Sequence, residues 1–376
     1  MIHTSEMITT TEALSSLKEH AETVGYVALD TEFVSDRTYY PKLGLIQIGF
    51  SRNECYLVDV LAVSDLTILG GLIENPRIVK ILHDAQQDLI ILRRATGAFP
   101  QNVFDTQHAA GFVAMRSTIS LRELISAACG GITLAKTETR TNWLQRPLSD
   151  PQIEYALDDV RYLPEIREKL LLKARKSKRE SWLQEDLDEY NVPDLYKEKE
   201  PYDQFRQIKG ASRLVNAELT VLRELAAWRE KEARRCDRPR PWIITNETLI
   251  HLARAQPRSI HALKLIKGLF AKHISRYGES ILQAIEKSTR AEPVEYTLME
   301  KRNNGADSSK TLVDFGLTVV KGKSLGYGID PGLMATRTEI KALVYQGLSA
   351  TSAEHRILRG WRKKIFGEEL KALLSG

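Results

Sequence analysis

A chain of 376 residues exceeds the roughly 100–200 of a typical domain, so two or three domains are expected. A hydrophobic share of 43% beside 27% charged residues describes a soluble globular protein with a sizeable core. No uncharged apolar stretch of about 18 residues occurs, so neither a helical membrane span nor a membrane partner is expected. Met1–His20 lacks a basic start followed by an apolar run, and Cys55, Cys129 and Cys236 lie far apart without metal-binding spacing. Reduced thiols in the cytoplasm are expected, not a secreted disulfide framework. The net charge of +5 is uneven, because residues 211–290 carry 16 Lys/Arg against 8 Asp/Glu. Such an excess suits a polyanion, whose phosphate contacts release counterions, and it also suits an ordinary solvated helical surface.

In chain order, Tyr26–Phe33, Leu43–Phe50 and Glu54–Val60 are short, apolar and β-rich, and their short connections predict an antiparallel meander. Ile78–Leu82 predicts a buried strand, Ala85–Arg94 an amphipathic helix and Val103–Asp105 another short strand. Helical periodicity resumes at Leu121 and is strong over Asp150–Leu172. Residues 176–209 are rich in charge, carry Pro193 and Pro201, and read as a charged helix running into an exposed connector. From Arg213 onward the patterns are helical: Leu214–Ala233, broken by Pro239 and Pro241, then Thr248–Ala255, His261–Leu265 and Tyr277–Lys287. A polar break at Gly305–Ser309 precedes helices over Pro331–Gln346 and Glu354–Leu374. The expectation is an α/β domain (1–175), a connector (176–209) and two small all-α domains (210–292 and 293–376).

Three motifs carry chemistry. ALDTEF sets Asp30 and Glu32 two residues apart at the end of an apolar strand, where alternation sends both side chains to one face. Adjacent anions on a partly buried face repel and are costly to desolvate unless a cation joins them, and Mg²⁺ takes oxygen ligands of this kind. Taken alone, D-x-E fits a structural pair as well as a site. Asp88, in ILHDAQQDLIIL, lies a turn inside its helix, whereas Asp84 suits the N-cap; a solvent-facing role is the alternative for Asp88. In DPQIEYALDDVRYL, Tyr155 and Asp159 share a helix face one turn apart, and a phenol beside a metal-bound carboxylate can hold an attacking water. Asp158 competes with Asp159 but points about 100° away. By itself this motif also describes a helix with a surface tyrosine and two surface acids.

The order of the motifs separates these readings. LDTEF, HDAQQDL and YALDDV within an α/β region resemble the exonuclease superfamily that uses Asp-Glu-Asp-Asp plus tyrosine. TNWLQRPLSDPQIEYALDDVRYLPEI, with a W-x-x-RPL lead-in to the third motif, is similar to ribonuclease D. LTVLRELAAWREKEARRCDRPRPWIITNETLIHLA looks like an HRDC domain, a helical nucleic-acid-binding module. The tail from about Pro293, with IDPGLMATRTEIKAL and RGWRKKIFG, is similar to the second HRDC-like module of that family. The resemblance covers essentially the whole chain. HDAQQDL, with two glutamines before Asp88, falls where related enzymes vary, which leaves local substrate contacts open.

The resemblance implies an α/β ribonuclease-H-like exonuclease domain with a mixed sheet, followed by two small all-α domains. It implies a 3′-5′ exoribonuclease with two divalent ions (Mg or Mn) between the carboxylates and the terminal phosphodiester. Asp30 would bridge both ions, Glu32 and Asp159 would complete the water-activating site, Asp88 would hold the second ion, and Tyr155 would position the water. The implied products are 5′-mononucleotides and the implied partner is RNA, with tRNA precursors foremost; a monomer is expected. A repair-type DNA 3′-5′ exonuclease and a non-catalytic nucleic-acid-binding scaffold remain open beside this reading.

Other residues have plainer expectations. Asp105 and Thr106 suit a strand-to-helix cap, and His83 and His108 lack paired zinc spacing and read as structural. Trp143 and Arg146 are expected to pack on the third-motif helix, with contact to substrate as the alternative, and Trp228 and Trp242 to belong to a core rather than to stack on bases. Arg234, Arg235, Arg238 and Arg240, beside a proline-marked break, are the candidates for phosphate contact. No P-loop is present, so no nucleotide cofactor is expected.

Overall fold

The computed structural model describes residues 6–134, 141–294 and 307–375. The chain forms two compact units: Met1–Val34, Leu43–Lys197 and Ala306–Gly376 make the first, and Ser35–Lys42 with Glu198–Gly305 the second.

The first unit is built on six strands: β1 (Glu6–Ile8), β2 (Tyr26–Val34), β3 (Lys42–Ser51), β4 (Glu54–Asp59), β5 (Val79–Leu82) and β6 (Val103–Asp105). They lie in the order β1-β4-β3-β2-β5-β6. β3 and β4 form the expected antiparallel pair, while β1 pairs parallel to β4, β2 to β5 and β5 to β6. The sheet is therefore mixed. β1 has no counterpart in the sequence reading.

Helices cover both faces. Helix α1 (Thr11–Val24) is capped by the Thr10 hydroxyl, which accepts from the Ala13 amide, and ends at Gly25, whose φ of +82° turns the chain into β2. With α2 (Ile68–Ile73) and α3 (Gln86–Thr96) it buries Leu14, Leu72, Leu89 and Leu92 against Val27, Leu29, Ile46 and Ile48. On the other face lie α4 (Thr106–Gly111), α5 (Leu121–Ala128), α6 (Asp150–Arg161), α7 (Leu163–Lys176) and α8 (Glu180–Leu187), packed over Ala28, Leu45, Leu57, Ile81 and Phe104.

The C-terminal helices join that second core. Leu333, Met334, Trp361 and Phe366 are buried in one cluster with Phe112, Leu170 and Leu183. Beneath them, Arg362 grips the Asp186 carboxylate with two hydrogen bonds of 2.7 and 2.6 Å, and the Trp361 indole N–H donates to the same group at 2.8 Å. Three expectations for this region need correction. The polar break at Gly305–Ser309 lies partly outside the described residues, and Asp307 already opens a 21-residue helix, Asp307–Tyr327. Three glycines, at 316, 322 and 326, disguise it. Pro331–Gln346 is two helices, because Ala335 is extended and Thr336 starts a new capped helix at Arg337. Glu354–Leu374 is helical only in part: a short 3₁₀ turn, Arg356–Leu358, comes first, and the helix proper starts at Gly360 and runs through a π-helical stretch, Lys363–Gly367, into Glu368–Ser375.

The second unit is helical: α9 (Asn216–Arg235), α10 (Arg240–Ile243), α11 (Asn246–Ala255), α12 (Ile260–Leu263) and α13 (Ala271–Ser288). Leu219, Leu222, Leu225, Ile243, Leu249, Leu252, Leu263 and Ile281 form its core. Trp228 packs edge-on against Tyr277, 5.7 Å between ring centres, as a core residue would. Trp242 does not: it is 51% exposed, because Pro239 and Pro241 turn the chain at the helix end. Among the described residues, no helix is long and apolar enough to cross a membrane.

Candidate active site

Alternation along β2 divides its side chains as expected. Val27 and Leu29 enter one core and Ala28 the other, so Asp30 and Glu32 fall on the face of Ala28. Asp159 approaches from α6, whose start is fixed by a capping box in which the Ser149 hydroxyl accepts from the Gln152 backbone N–H and the Gln152 side-chain oxygen accepts from the Ser149 backbone N–H. Carboxylate oxygens of Asp30, Glu32 and Asp159 lie within 4.8 Å of one another. Asp88 stands in the first turn of α3, buried, and accepts a hydrogen bond from the Thr31 hydroxyl between the two β2 acids. Its position in that turn also suits the helix dipole.

The electrostatics follow from the crowding. Burial, then the charges of Asp88, Asp159 and Glu32, hold Asp30 well above the usual carboxylate range. Glu32 is pushed up to about 9 by burial, Asp159 and Asp88. Burial raises Asp159 to about 7, helped by Asp158 and Asp88, and raises Asp88 to about 6 against the Thr31 hydrogen bond. Among the described residues none of the four is ion-paired. Made of carboxylate oxygens alone, partly buried and without an ion pair, this donor set fits a hard divalent cation.

Tyr155 stands one turn before Asp159, with its ring 6.1 Å from that of buried Trp143. Burial first, then Asp159, Glu32 and Asp30, push its hydroxyl above the ordinary phenol value, so it stays protonated. Asp158 turns away and pairs with Arg161 at 2.5 Å, as its helical position demands. Arg122, in the first turn of α5, was not anticipated from sequence. Its positive charge is felt at both Asp159 and Tyr155, and its Nε is buried with no hydrogen-bond partner. A lone arginine in SLRELI gives no sequence signal; only the fold brings it near the acids.

The neighbouring residues are supports. The Asp105 carboxylate accepts from the Gln107 and His108 amides, capping α4, and from the Asp84 and Ala85 amides at the start of α3. This corrects the expectation that Asp84 caps α3: Asp84 has φ of +59° and gives its amide to Asp105. His83 bonds Thr106 and the Ile119 carbonyl, and His108 bonds Asp186, so both histidines are structural. Arg146 holds Asp59 through two bonds of 2.8 and 2.7 Å and donates to the Gly44 carbonyl. A side chain at Gly44 would sit 2.5 Å from the Trp143 carbonyl oxygen, so the lead-in to the third motif needs that glycine.

In the helical unit, the arginines singled out from sequence are mostly engaged. Glu230, 1% exposed, is gripped by Arg234 and Arg240, and the Tyr39 hydroxyl donates to it as well. Arg234 also pairs with Glu198, and Arg235 with Glu232 at 2.7 Å. Arg238 is exposed. The Tyr39 and Tyr40 amides, from the segment between β2 and β3, both donate to Asp237.

Comparison with known proteins agrees with this site. Residues 5–175 match the family described as 3′-5′ exonuclease, and residues 218–285 match the HRDC domain. Ribonuclease D of Desulfotalea psychrophila is 40% identical over 359 residues, spanning 96% of each chain. Ribonuclease D of Pseudomonas paraeruginosa is 35% identical, spanning 92% of this chain and 91% of that one. The crystal structure of Escherichia coli RNase D, described as an exoribonuclease involved in structured RNA processing, superposes with a TM-score of 0.87 at 31% identity over 98% of both chains. Full-length similarity at this level, with an acidic cluster suited to divalent metal, establishes that the chain belongs to the ribonuclease D family and is a hydrolase of the 3′-5′ exonuclease type.

Proposed function

We propose that this chain removes nucleotides one at a time from the 3′ end of RNA, releasing 5′-mononucleotides, and that structured precursors, tRNA foremost, are its substrates. The observation that carries the reading is the Asp30–Glu32–Asp159 cluster with Tyr155 one turn away. Asp30, Glu32, Asp88 and Asp159 would hold two divalent ions, Mg or Mn, which stabilise the attacking and leaving oxygens of an in-line displacement. The protein's own groups do the rest. The Tyr155 hydroxyl orients the attacking water, and Trp143 fixes the ring that carries it. Arg122, whose Nε has no hydrogen-bond partner among the described residues and whose charge is felt at Asp159, holds a non-bridging oxygen of the terminal phosphodiester.

RNA rather than DNA is favoured by the three relatives described above, each a ribonuclease by name. Three unpaired cysteines, two of them buried, support action in a reducing cytoplasm. The test is degradation of matched 3′-tailed RNA and DNA hairpins, labelled internally, in Mg²⁺ or Mn²⁺ with and without EDTA. Stepwise shortening of the RNA with 5′-mononucleotide release, abolished by EDTA, is expected. Faster loss of the DNA, or internal cuts, would overturn the reading.

A further inference from the structure

The helical unit carries unspent positive charge on a different set of residues from the proline-marked arginines. Tyr202, in the 3₁₀ turn Pro201–Gln207, is flanked by Lys231 of α9 and Lys287 of α13, whose ammonium nitrogens stand 5.0 and 4.8 Å from its ring centre. Lys287 donates to the Tyr202 hydroxyl oxygen and lies 3.0 Å from Glu224. Glu224 is 4% exposed, and Arg223 approaches its other oxygen at 3.2 Å. Two cations therefore share one carboxylate, and Lys231 stands on the same tyrosine ring without one. Lys231 has no ion pair among the described residues, and the Lys287 side chain remains 59% exposed despite its partners. Around Arg234 and Arg240 the balance is different: Glu230 and Glu198 match the two arginines one for one.

The chemistry of this cluster is specific. Ammonium groups over the ring are held by its negative π-face, so the ring fixes the cations and is not open to a stacked base. The Tyr202 oxygen accepts from Lys287, which leaves its own proton for an acceptor that the described residues do not supply. Two positioned ammonium groups and a hydroxyl donor suit phosphodiester oxygens and read no base edge.

We propose that Tyr202, Lys231 and Lys287 form the contact through which the helical unit grips the sugar–phosphate backbone of RNA away from the 3′ end. The inference rests on the exoribonuclease reading. It is tested on the full chain carrying Asp159→Asn, so that a stem-loop RNA survives, by measuring affinity across a KCl series. Lys231→Gln with Lys287→Gln should flatten the slope of log affinity against log salt by about 1.4–1.8, two contacts at roughly 0.7–0.9 each. Lys231→Gln alone removes no ion pair, so folding is not at stake, and it should flatten the slope by about half as much. Tyr202→Phe should weaken binding severalfold with the slope unchanged. An unaltered slope in folded lysine variants overturns the proposal. So does a flattened slope in Arg234→Gln with Arg240→Gln but not in the lysine pair. Equal competition by millimolar inorganic phosphate would mark a free-anion site and overturn it too. Failure of the unmodified chain to shorten RNA is a separate result, against the exoribonuclease reading itself.

Discussion

Glu32 keeps its proton up to about pH 9, and Asp159 up to about 7, because burial and neighbouring carboxylates penalise the charged forms. In the unfolded chain such groups ionise near 4, so between about pH 4 and 9 the folded state binds more protons than the unfolded one. Stability of the metal-free protein should therefore fall as pH rises through that window. A divalent ion relieves the repulsion, so Mg²⁺ or Mn²⁺ should raise the melting temperature more at pH 8.5 than at pH 5.5. A metal increment independent of pH would show that these carboxylates are not the ligands. Asp30→Asn should raise the metal-free melting temperature and abolish cleavage together. Tyr155→Phe leaves the carboxylates intact; cleavage should slow by about 10²-fold while metal affinity holds. Collapse of metal affinity would instead make the tyrosine a support of the site. Arg122→Gln should raise KM for a short oligonucleotide at least as much as it lowers kcat. Unchanged kinetics would return Arg122 to a purely structural role.

At the scale of elements, α8 is clasped to the C-terminal helices by one buried carboxylate. Burial opposes the charge on Asp186, yet hydrogen bonds from His108 and Arg362 hold its carboxyl well below the usual range. Removing one partner of such a pair costs more than removing both, since it strands a charge. Arg362→Met should cost about 3–5 kcal/mol in chemical denaturation, and Asp186→Leu added to it should recover part of that loss. Additive losses in the double variant would mean that the two groups do not act as a pair. Such a clasp cannot be seen in the sequence, because its partners stand 176 positions apart. What was legible is local. The D-x-E strand, the Tyr155–Asp159 turn and the β3–β4 pair follow from alternation and helical spacing, which are properties of adjacent residues. Arg122 and the engagement of Arg234 and Arg240 by Glu230 depend on tertiary packing. The glycine-rich Asp307–Tyr327 helix was hidden for another reason: Gly316 fits because a side chain there would meet Ile340 at 2.8 Å, so packing overrides propensity.

At the scale of the molecule, the first and last parts of the chain make one unit and the HRDC-matched segment belongs to another. Trp361, 1% exposed, stacks against Trp182 of α8 with ring centres 5.5 Å apart and meets Phe112 edge-on at the same distance. Met334 and Phe366 close the same core. Each fully buried large apolar side chain contributes roughly 1.5–3 kcal/mol, so losing several takes away an amount comparable to the 5–15 kcal/mol by which a typical protein is stable. The residues stripped by deletion of 306–376 include the partners of Asp186, which would be left charged and buried beside His108 alone. A chain ending at Gly305 should therefore lose the fold of the exonuclease unit, and with it metal-dependent cleavage even of short oligonucleotides that need no distant contacts. The helical second unit keeps its own core and should retain its cooperative melting transition in the same truncated protein. Two transitions in the full chain, with only the second surviving truncation, is the expected calorimetric result. Full activity on short RNA from the truncated chain would show that the C-terminal helices merely rest on a core that is complete without them.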